Sequence, residues 1–196
     1  MMQLLLAVAL VAFASAGPVR PTRVTAYVPV VPAGRAVAGA CWTRSIAAPN
    51  RSDAYRCMVG NSIYDPCFVP QHRSVAVCDV DPASNRRGFA IRLTKPLPRE
   101  PVFKGGAPQP WLVELTDGNV CIPLTGTHAQ LNGRTILYEC SESRERRNRG
   151  QSTGLIAGSI TPGRVWHAGL AVYDVDNRAG EPSGTITSVP LAAVWR

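Results

Sequence analysis

The sequence lacks the patterns of several fibrous, disordered and membrane-embedded classes. No glycine recurs at a fixed period, which excludes a collagen-like chain, and 17 glycines with 17 prolines exclude a long coiled coil. Beyond residue 16 no segment approaches the ~20 apolar residues of a membrane-spanning helix. Charged residues amount to only 17% and hydrophobic residues to 45%, so an intrinsically disordered chain is also disfavoured. A globular protein of ordinary size is the remaining class.

Local signatures of common catalytic and metal sites are also scarce. The chain has no HExxH pattern, and no serine lies in the strand–turn–helix context of a nucleophile elbow. Its two closest cysteines, Cys57 and Cys67, are too far apart for a CxxC zinc-ligand pair. We therefore predict neither a metal nor a cofactor. A Ser–His–Asp site assembled in space stays open, because such triads are defined by geometry.

The first residues are typical of a secretory signal. Residues 4–13 form an apolar run of signal-peptide length, and Ala14-Ser15-Ala16 is a small-x-small cleavage site. A buried N-terminal strand or helix is the alternative. We predict a signal peptide over residues 1–16, a Pro-rich extended lead-in over 17–39 and a single domain over 40–196. The expected product is secreted or associated with the cell envelope, without a transmembrane segment.

The predicted export determines how the cysteines are interpreted. Their number is even and all lie beyond residue 16, which in an oxidising compartment predicts three disulfides; they are Cys41, Cys57, Cys67, Cys78, Cys121 and Cys140. Six cysteines allow 15 connectivities. Locality favours a bridge between Cys121 and Cys140, with the other four paired among themselves.

The hydropathy pattern predicts a mainly β protein. Residues 74–80, 89–94, 134–140, 154–160, 165–175 and 185–195 read as strands. Asp117-Gly118 predicts a type I′ hairpin, a helical turn is expected near residues 53–57, and the Arg-rich residues 141–153 are expected to be an exposed loop. The predicted fold is one disulfide-stapled domain, a sandwich or irregular barrel, with a Cys-rich N-terminal cap and little helix.

The positive charge points to anionic partners. The net charge is +8, and almost all of the cations are arginines. Mutational bias with solubility is one explanation; attraction to anionic envelope polymers is the other, with nucleic acid the least expected partner for an exported chain. Four arginines in residues 141–153 are binding candidates: Arg144, Arg146, Arg147 and Arg149.

A second group of candidates lies in residues 54–68, which combine two cysteines with aromatic and polar side chains. A recognition loop on a rigid frame would use such residues, and its binding candidates are Arg56, Asn61, Tyr64 and Asp65. The structural alternative is a stapled mini-core in which Arg56 pairs with Asp65.

The same segment resembles a group of uncharacterised exported proteins of Gram-positive, mainly actinobacterial, bacteria. The resemblance extends over roughly residues 39–166 and implies export and a shared disulfide pattern. It carries no known activity, so it assigns no catalytic residue. It rests on Cys41-Trp42, Tyr55-Arg56-Cys57-Met58, Gly60-Asn61, Ile63, Asp65-Pro66-Cys67-Phe68, residues 111–115, Asp117-Gly118 and Cys121.

Three functions remain after this reading. The favoured one is an exported, non-catalytic module that binds anionic envelope or extracellular polymers. The second is an envelope hydrolase that uses His128 or His167 with an aspartate. The third is a secreted inhibitor or partner-binding protein that presents the stapled 57–67 loop to an extracellular protein.

Overall fold

The computed structural model describes residues 20–71, 74–99, 109–141, 146, 149–174 and 182–196. Within these ranges the chain is built from thirteen strands. They are β1 (Arg23–Thr25), β2 (Val37–Arg44), β3 (Ala54–Val59), β4 (Ser62–Phe68), β5 (Val75–Cys78), β6 (Phe89–Leu93), β7 (Leu112–Leu115), β8 (Val120–Pro123), β9 (Gln130–Leu131), β10 (Arg134–Cys140), β11 (Gln151–Ile156), β12 (His167–Asp174) and β13 (Gly184–Trp195). No helix in the described ranges combines the length and the apolarity needed to span a bilayer.

Strands β2 to β6 form a closed barrel, here named barrel 1. Consecutive strands pair antiparallel, and a parallel pair between β2 and β6 closes the ring with Val37 opposite Ile91. Inward side chains such as Cys57, Cys67 and Ile91 are fully buried. Because successive side chains of a strand point to opposite faces, barrel 1 has a buried inner face and a solvent-exposed outer face.

The later strands form a second ring, here named barrel 2. Its order is β13-β12-β11-β10-β8-β7, and β7 also pairs with β13. The short strand β9 pairs with β10, and β1 pairs in parallel with β13 outside the ring. Tyr138, Leu155 and Trp166 belong to the core of this barrel.

Aromatic side chains join the two barrels into one apolar cluster. Phe68 of barrel 1 lies 4.9 Å, centroid to centroid, from Trp111 at the start of barrel 2. Tyr27, in the segment after β1, packs at 4.9 Å from Phe68 and 5.2 Å from Trp111. Buried aromatic rings contribute large apolar areas, so this cluster holds the barrels against each other.

The lead-in acts as a strap across barrel 2. The Thr22 hydroxyl donates to the Leu191 carbonyl and accepts from the Trp166 backbone N–H, both at 2.7 Å. β1 then follows the end of β13, with Val24 opposite Val194. Within residues 20–39 the structure has β1 and the start of β2, and the Pro-rich lead-in as a separate segment stays a prediction; the expected signal peptide lies outside the described residues.

Three disulfides staple adjacent strands. Cys41 bonds to Cys57 across β2 and β3, Cys67 to Cys78 across β4 and β5, and Cys121 to Cys140 across β8 and β10. Each bridge joins residues that are directly opposite in the sheet register. The expected pairing of Cys121 with Cys140 is confirmed, and the other four cysteines pair among themselves as expected.

The mainly β prediction is confirmed, but the architecture is more elaborate than one sandwich or irregular barrel. Two closed barrels are present, and the expected Cys-rich cap is itself barrel 1. Neither ring closure could be predicted locally, because closure joins strands that are distant in sequence, β2 with β6 and β7 with β13.

Three local predictions were wrong in whole or in part. The expected helical turn at residues 53–57 is instead the start of β3, because Cys57 is committed to the ladder opposite Cys41. At the β7–β8 turn only Gly118 has a positive φ, so the turn is not type I′. In the expected 141–153 loop, residues 151–153 belong to β11 and Thr153 is buried.

Candidate functional site

The binding candidates of residues 54–68 lie on a hairpin that the disulfides brace. β3 and β4 are joined by a two-residue turn at Gly60-Asn61, where Gly60 has a φ of 56°. The first arm is bonded to β2 through Cys57 and the second to β5 through Cys67. A rigid hairpin of this kind is the geometry expected for a partner-binding loop, and that function stays a prediction.

The structure brings Arg56 and Asp65 together. Their closest side-chain atoms, Nη1 and Oδ2, lie 4.0 Å apart, and only 2% of the Asp65 side chain is exposed. Asn61 is at the exposed tip of the hairpin, and Tyr64 packs edge-on against Phe89. Asn61 does not join the Arg56–Asp65 pair, whereas Tyr64 and Asp65 line one cleft.

The carboxylate of Asp65 organises the turn that follows β2. It accepts hydrogen bonds from the Ser45 hydroxyl and from the Ile46 backbone N–H, the latter at 3.0 Å. Burial raises the pKa of Asp65 above its ordinary value of 3.8, and the hydrogen bonds from Ser45 and the backbone, with the charge of Arg56, partly oppose that rise. The role supported by these contacts is structural.

Arg56 also connects the barrels. Its Nη1 donates to the Thr125 carbonyl, in the segment after β8, at 3.1 Å, and its guanidinium lies 5.9 Å from the Trp42 ring centroid. The predicted alternative, an Arg56–Asp65 pair in a stapled mini-core, therefore describes the contacts well. A ligand-binding role for these two residues stays a prediction.

The arginine-rich loop is only partly described. Arg144 and Arg147 lie outside the described residues. Arg146 and Arg149 line a shallow depression with Asp117 and Asn119 at the β7–β8 turn. The acidic Asp117 lowers the positive potential next to Arg146 and Arg149, and anion binding by this loop stays a prediction.

A more coherent cationic surface lies on barrel 1, and we name it the basic strip. Its members are exposed cations on or next to the adjacent strands β2 and β6. Neither residues 35–44 nor residues 87–99 contain an acidic residue. The basic strip consists of Arg35, Arg87, Arg92 and Lys95.

The parallel pairing of β2 and β6 aligns these cations. Arg92 lies opposite Ala38, and continuing the same register places residue 35 opposite residue 89, close to Arg87. Lys95 follows Thr94, whose backbone N–H donates to the Gly39 carbonyl at 2.9 Å. Lys95 lies just after β6, three residues beyond Arg92. No ion pair involves any of the four among the described residues.

A groove runs beside the basic strip on the outer face of barrel 1. It has a volume of about 620 Å³, and Lys95 is its one charged lining residue within the described ranges. Trp42, which is 42% exposed, and Met58 supply its apolar walls together with Pro96 and Pro98. An exposed indole beside a cation is suited to a ligand that carries both carbon-rich faces and negative charges.

Sequence reasoning missed the basic strip because its cations are 60 positions apart from first to last. The predicted arginine cluster lies within one loop, whereas the basic strip forms only because the pairing of β2 with β6 brings distant segments together. The usable signal was the absence of acidic residues from both segments, which a search for charge asymmetry would have found.

The histidines do not assemble an obvious catalytic centre in the described structure. His167 is exposed at the start of β12, and His128 is half-buried in the loop before β9 with no partner for its Nε2. The hypothesis that either acts with an aspartate stays a prediction. His72 lies outside the described residues.

Ser152 was also missed by the sequence reasoning. It is the central residue of a Gly-x-Ser-x-Gly pentad at residues 150–154. The pentad leads directly into β11, where Ser152 lies opposite Tyr173, so it lacks the strand-to-helix turn that exposes a nucleophile. The motif is therefore a strand segment with small residues.

Three of the cysteine sulfurs lie near one another. The Sγ atoms of Cys57, Cys67 and Cys78 are all within 4.8 Å of each other. Each is bonded in a disulfide, so none offers the thiolate that a soft metal would need.

Protein-family models, curated proteins and solved structures gave no match to this chain. Its resemblance to exported actinobacterial proteins therefore stays a prediction.

Proposed function

We propose that the protein is an exported, non-catalytic module that binds a linear anionic polymer of the cell envelope or extracellular matrix. The observation that carries the proposal is the basic strip, four exposed cations on or next to the paired strands β2 and β6 without acidic neighbours in their own segments. The polymer would run along β2 and β6 and lay its carbon-rich faces against Trp42 and Met58 in the groove.

The energetics require several contacts at once. An exposed charge pair contributes ~0.2–1 kcal/mol, which alone would leave binding undetectable. Several cations carried on one barrel can engage successive charges of one polymer, and each contact raises the effective concentration of the next. Binding of useful strength therefore needs a polymer, whereas the isolated anionic monomer should bind poorly.

The experiment is a salt series on immobilised dextran sulfate, with uncharged dextran as the control. Exposed charges are screened beyond about 8 Å at physiological ionic strength, so retention should fall steeply as salt is added. Retention that is insensitive to salt, or equal on uncharged dextran, would contradict the proposal. Turnover of a defined envelope substrate that is abolished by His167→Ala would instead support the hydrolase hypothesis.

A further inference from the structure

A second depression, separate from the groove, lies between the two barrels. This inter-barrel cleft has a volume of about 670 Å³ and shares no lining residue with the groove of barrel 1. Barrel 1 supplies one wall through β4 and the turn after β5, and barrel 2 supplies the other through β7, β8, β10 and β11. The volume is within the ~300–1,000 Å³ usual for small-molecule sites.

The electrostatic character of the cleft is opposite to that of the chain. Four carboxylates, those of Asp65, Asp79, Asp81 and Glu139, line it together with a single guanidinium, that of Arg86. The Asp65 carboxylate is already occupied by the Ser45 hydroxyl and the Ile46 backbone N–H. Arg86 pairs with Asp79 at 3.2 Å, and the Asp81 carboxylate accepts hydrogen bonds from its own turn, including the Ser84 hydroxyl at 2.7 Å. Glu139 is exposed and has no hydrogen-bond or ion-pair partner among the described residues. It is the carboxylate that remains available to a ligand.

An independent observation points to a ligand that also carries a hydrogen-bond acceptor. Trp111 lines the cleft and is only 1% exposed, and its indole Nε1 has no acceptor among the described residues. A buried donor without a partner costs ~1–3 kcal/mol. An acceptor delivered into the cleft would satisfy this donor.

The remaining walls are apolar where the two barrels face each other. Ile63 of barrel 1 and Ile122 of barrel 2 line the cleft, and each is 51% exposed. In the barrel 2 sheet, Ile122 lies directly opposite Glu139. A carboxylate next to two exposed isoleucines fits a cation at the end of an aliphatic stem, because long basic side chains bury their methylenes and keep the charge outside.

We propose that the inter-barrel cleft binds a basic amino acid or a short basic peptide. The ammonium or guanidinium group pairs with Glu139, the aliphatic stem lies between Ile63 and Ile122, and a carbonyl or carboxylate oxygen accepts from the Trp111 indole. This site is independent of the polymer-binding surface, since the two have opposite charge and no common residue.

The test uses the full-length mature protein labelled with ¹⁵N. Its indole N–H resonances are followed during titration with tri-lysine, with tri-glutamate as the charge-reversed probe. The Trp111 indole resonance and the Glu139 backbone amide should shift with tri-lysine alone, while the Trp42 indole, which lines the other groove, should stay in place.

Two substitutions measure how much the charged and the apolar side chains of the cleft contribute to tri-lysine binding. Glu139→Gln should weaken tri-lysine binding about three- to five-fold, the range expected for one exposed charge contact, and Ile122→Ser should weaken it as well. Glu114→Gln is the matched control, because Glu114 pairs with Arg23 and does not line the cleft. An equal shift of the Trp111 indole with tri-glutamate, an unmoved Trp111 indole with tri-lysine, or unchanged tri-lysine affinity in Glu139→Gln would overturn the proposal.

Discussion

In this protein, the polar side chains of the candidate site stabilise local turns and contacts within the chain, which leaves them less available to partners. The Asp65 carboxylate holds the turn after β2 through Ser45 and Ile46, and Arg56 reaches across to the Thr125 carbonyl. A candidate binding pair recognised from its residue types is thus occupied by contacts within the chain. The type of residue was predictable from sequence, whereas its partners were set by the hairpin pairing of β3 with β4.

The raised pKa of Asp65 predicts a pH-dependent cost of substitution. Folded Asp65 binds a proton more readily than unfolded Asp65, so its contribution to stability is present below the ordinary value of 3.8 and is lost as the pH rises through the raised pKa. Asp65→Asn removes this titration. The destabilisation it causes, measured by urea unfolding, should therefore be larger near pH 4 than at pH 7. A penalty that grows from pH 4 to pH 7 would show that the folded pKa is depressed instead.

Gly154 predicts a steric effect of a single methyl group. A Cβ at this position would clash with the Tyr138 carbonyl oxygen and with the Ile136 side chain on the neighbouring strand β10. Gly154→Ala should lower the free energy of unfolding by about 1–3 kcal/mol, the usual cost of overpacking. Gly126→Ala is the control, since no atom lies within 4 Å of its Cβ. Equal stability of the two variants in thermal denaturation would refute the close approach of β11 to β10.

At the scale of elements, strands with one buried face were the predictable part of the fold. β10 alternates buried with more exposed side chains from Ile136 to Cys140, a period of two that follows directly from strand geometry, and β5 is a short run of apolar residues. The closure of each ring could not be predicted, because it depends on long-range pairs such as Val37 with Ile91. The basic strip was missed for the same reason, as it exists only once β2 and β6 are paired.

One hydroxyl adds to the strand pairing that holds the strap across barrel 2. Thr22 satisfies both the Leu191 carbonyl and the Trp166 N–H in a buried position. Thr22→Val keeps the side-chain shape but removes this hydroxyl, which should cost about 1–3 kcal/mol. The exposed Thr127→Val is the control. Equal urea midpoints for the two variants would mean that the Thr22 hydroxyl does not stabilise the strap.

At the scale of the whole molecule, charge is segregated rather than spread evenly. The net charge of +8 is reflected in the exposed basic strip of barrel 1, while the inter-barrel cleft collects Asp79, Asp81 and Glu139. Two rigid barrels joined by an aromatic cluster keep these surfaces apart. Such segregation allows one small module to hold an anionic polymer on one surface and a small cation in another site.

The measurement that tests the central claim most directly compares two quadruple variants of equal charge change on dextran sulfate. One replaces Arg35, Arg87, Arg92 and Lys95 of the basic strip with Gln, and the other replaces Arg144, Arg146, Arg147 and Arg149 of the arginine-rich loop. Because net charge falls equally in both, any difference reports the arrangement of the cations. We expect the strip variant to lose at least ten-fold in affinity, about 1.4 kcal/mol, and to show a shallower salt dependence, with a smaller loss in the loop variant. Equal losses in the two variants, or a larger loss in the loop variant, would contradict the assignment of polymer binding to barrel 1.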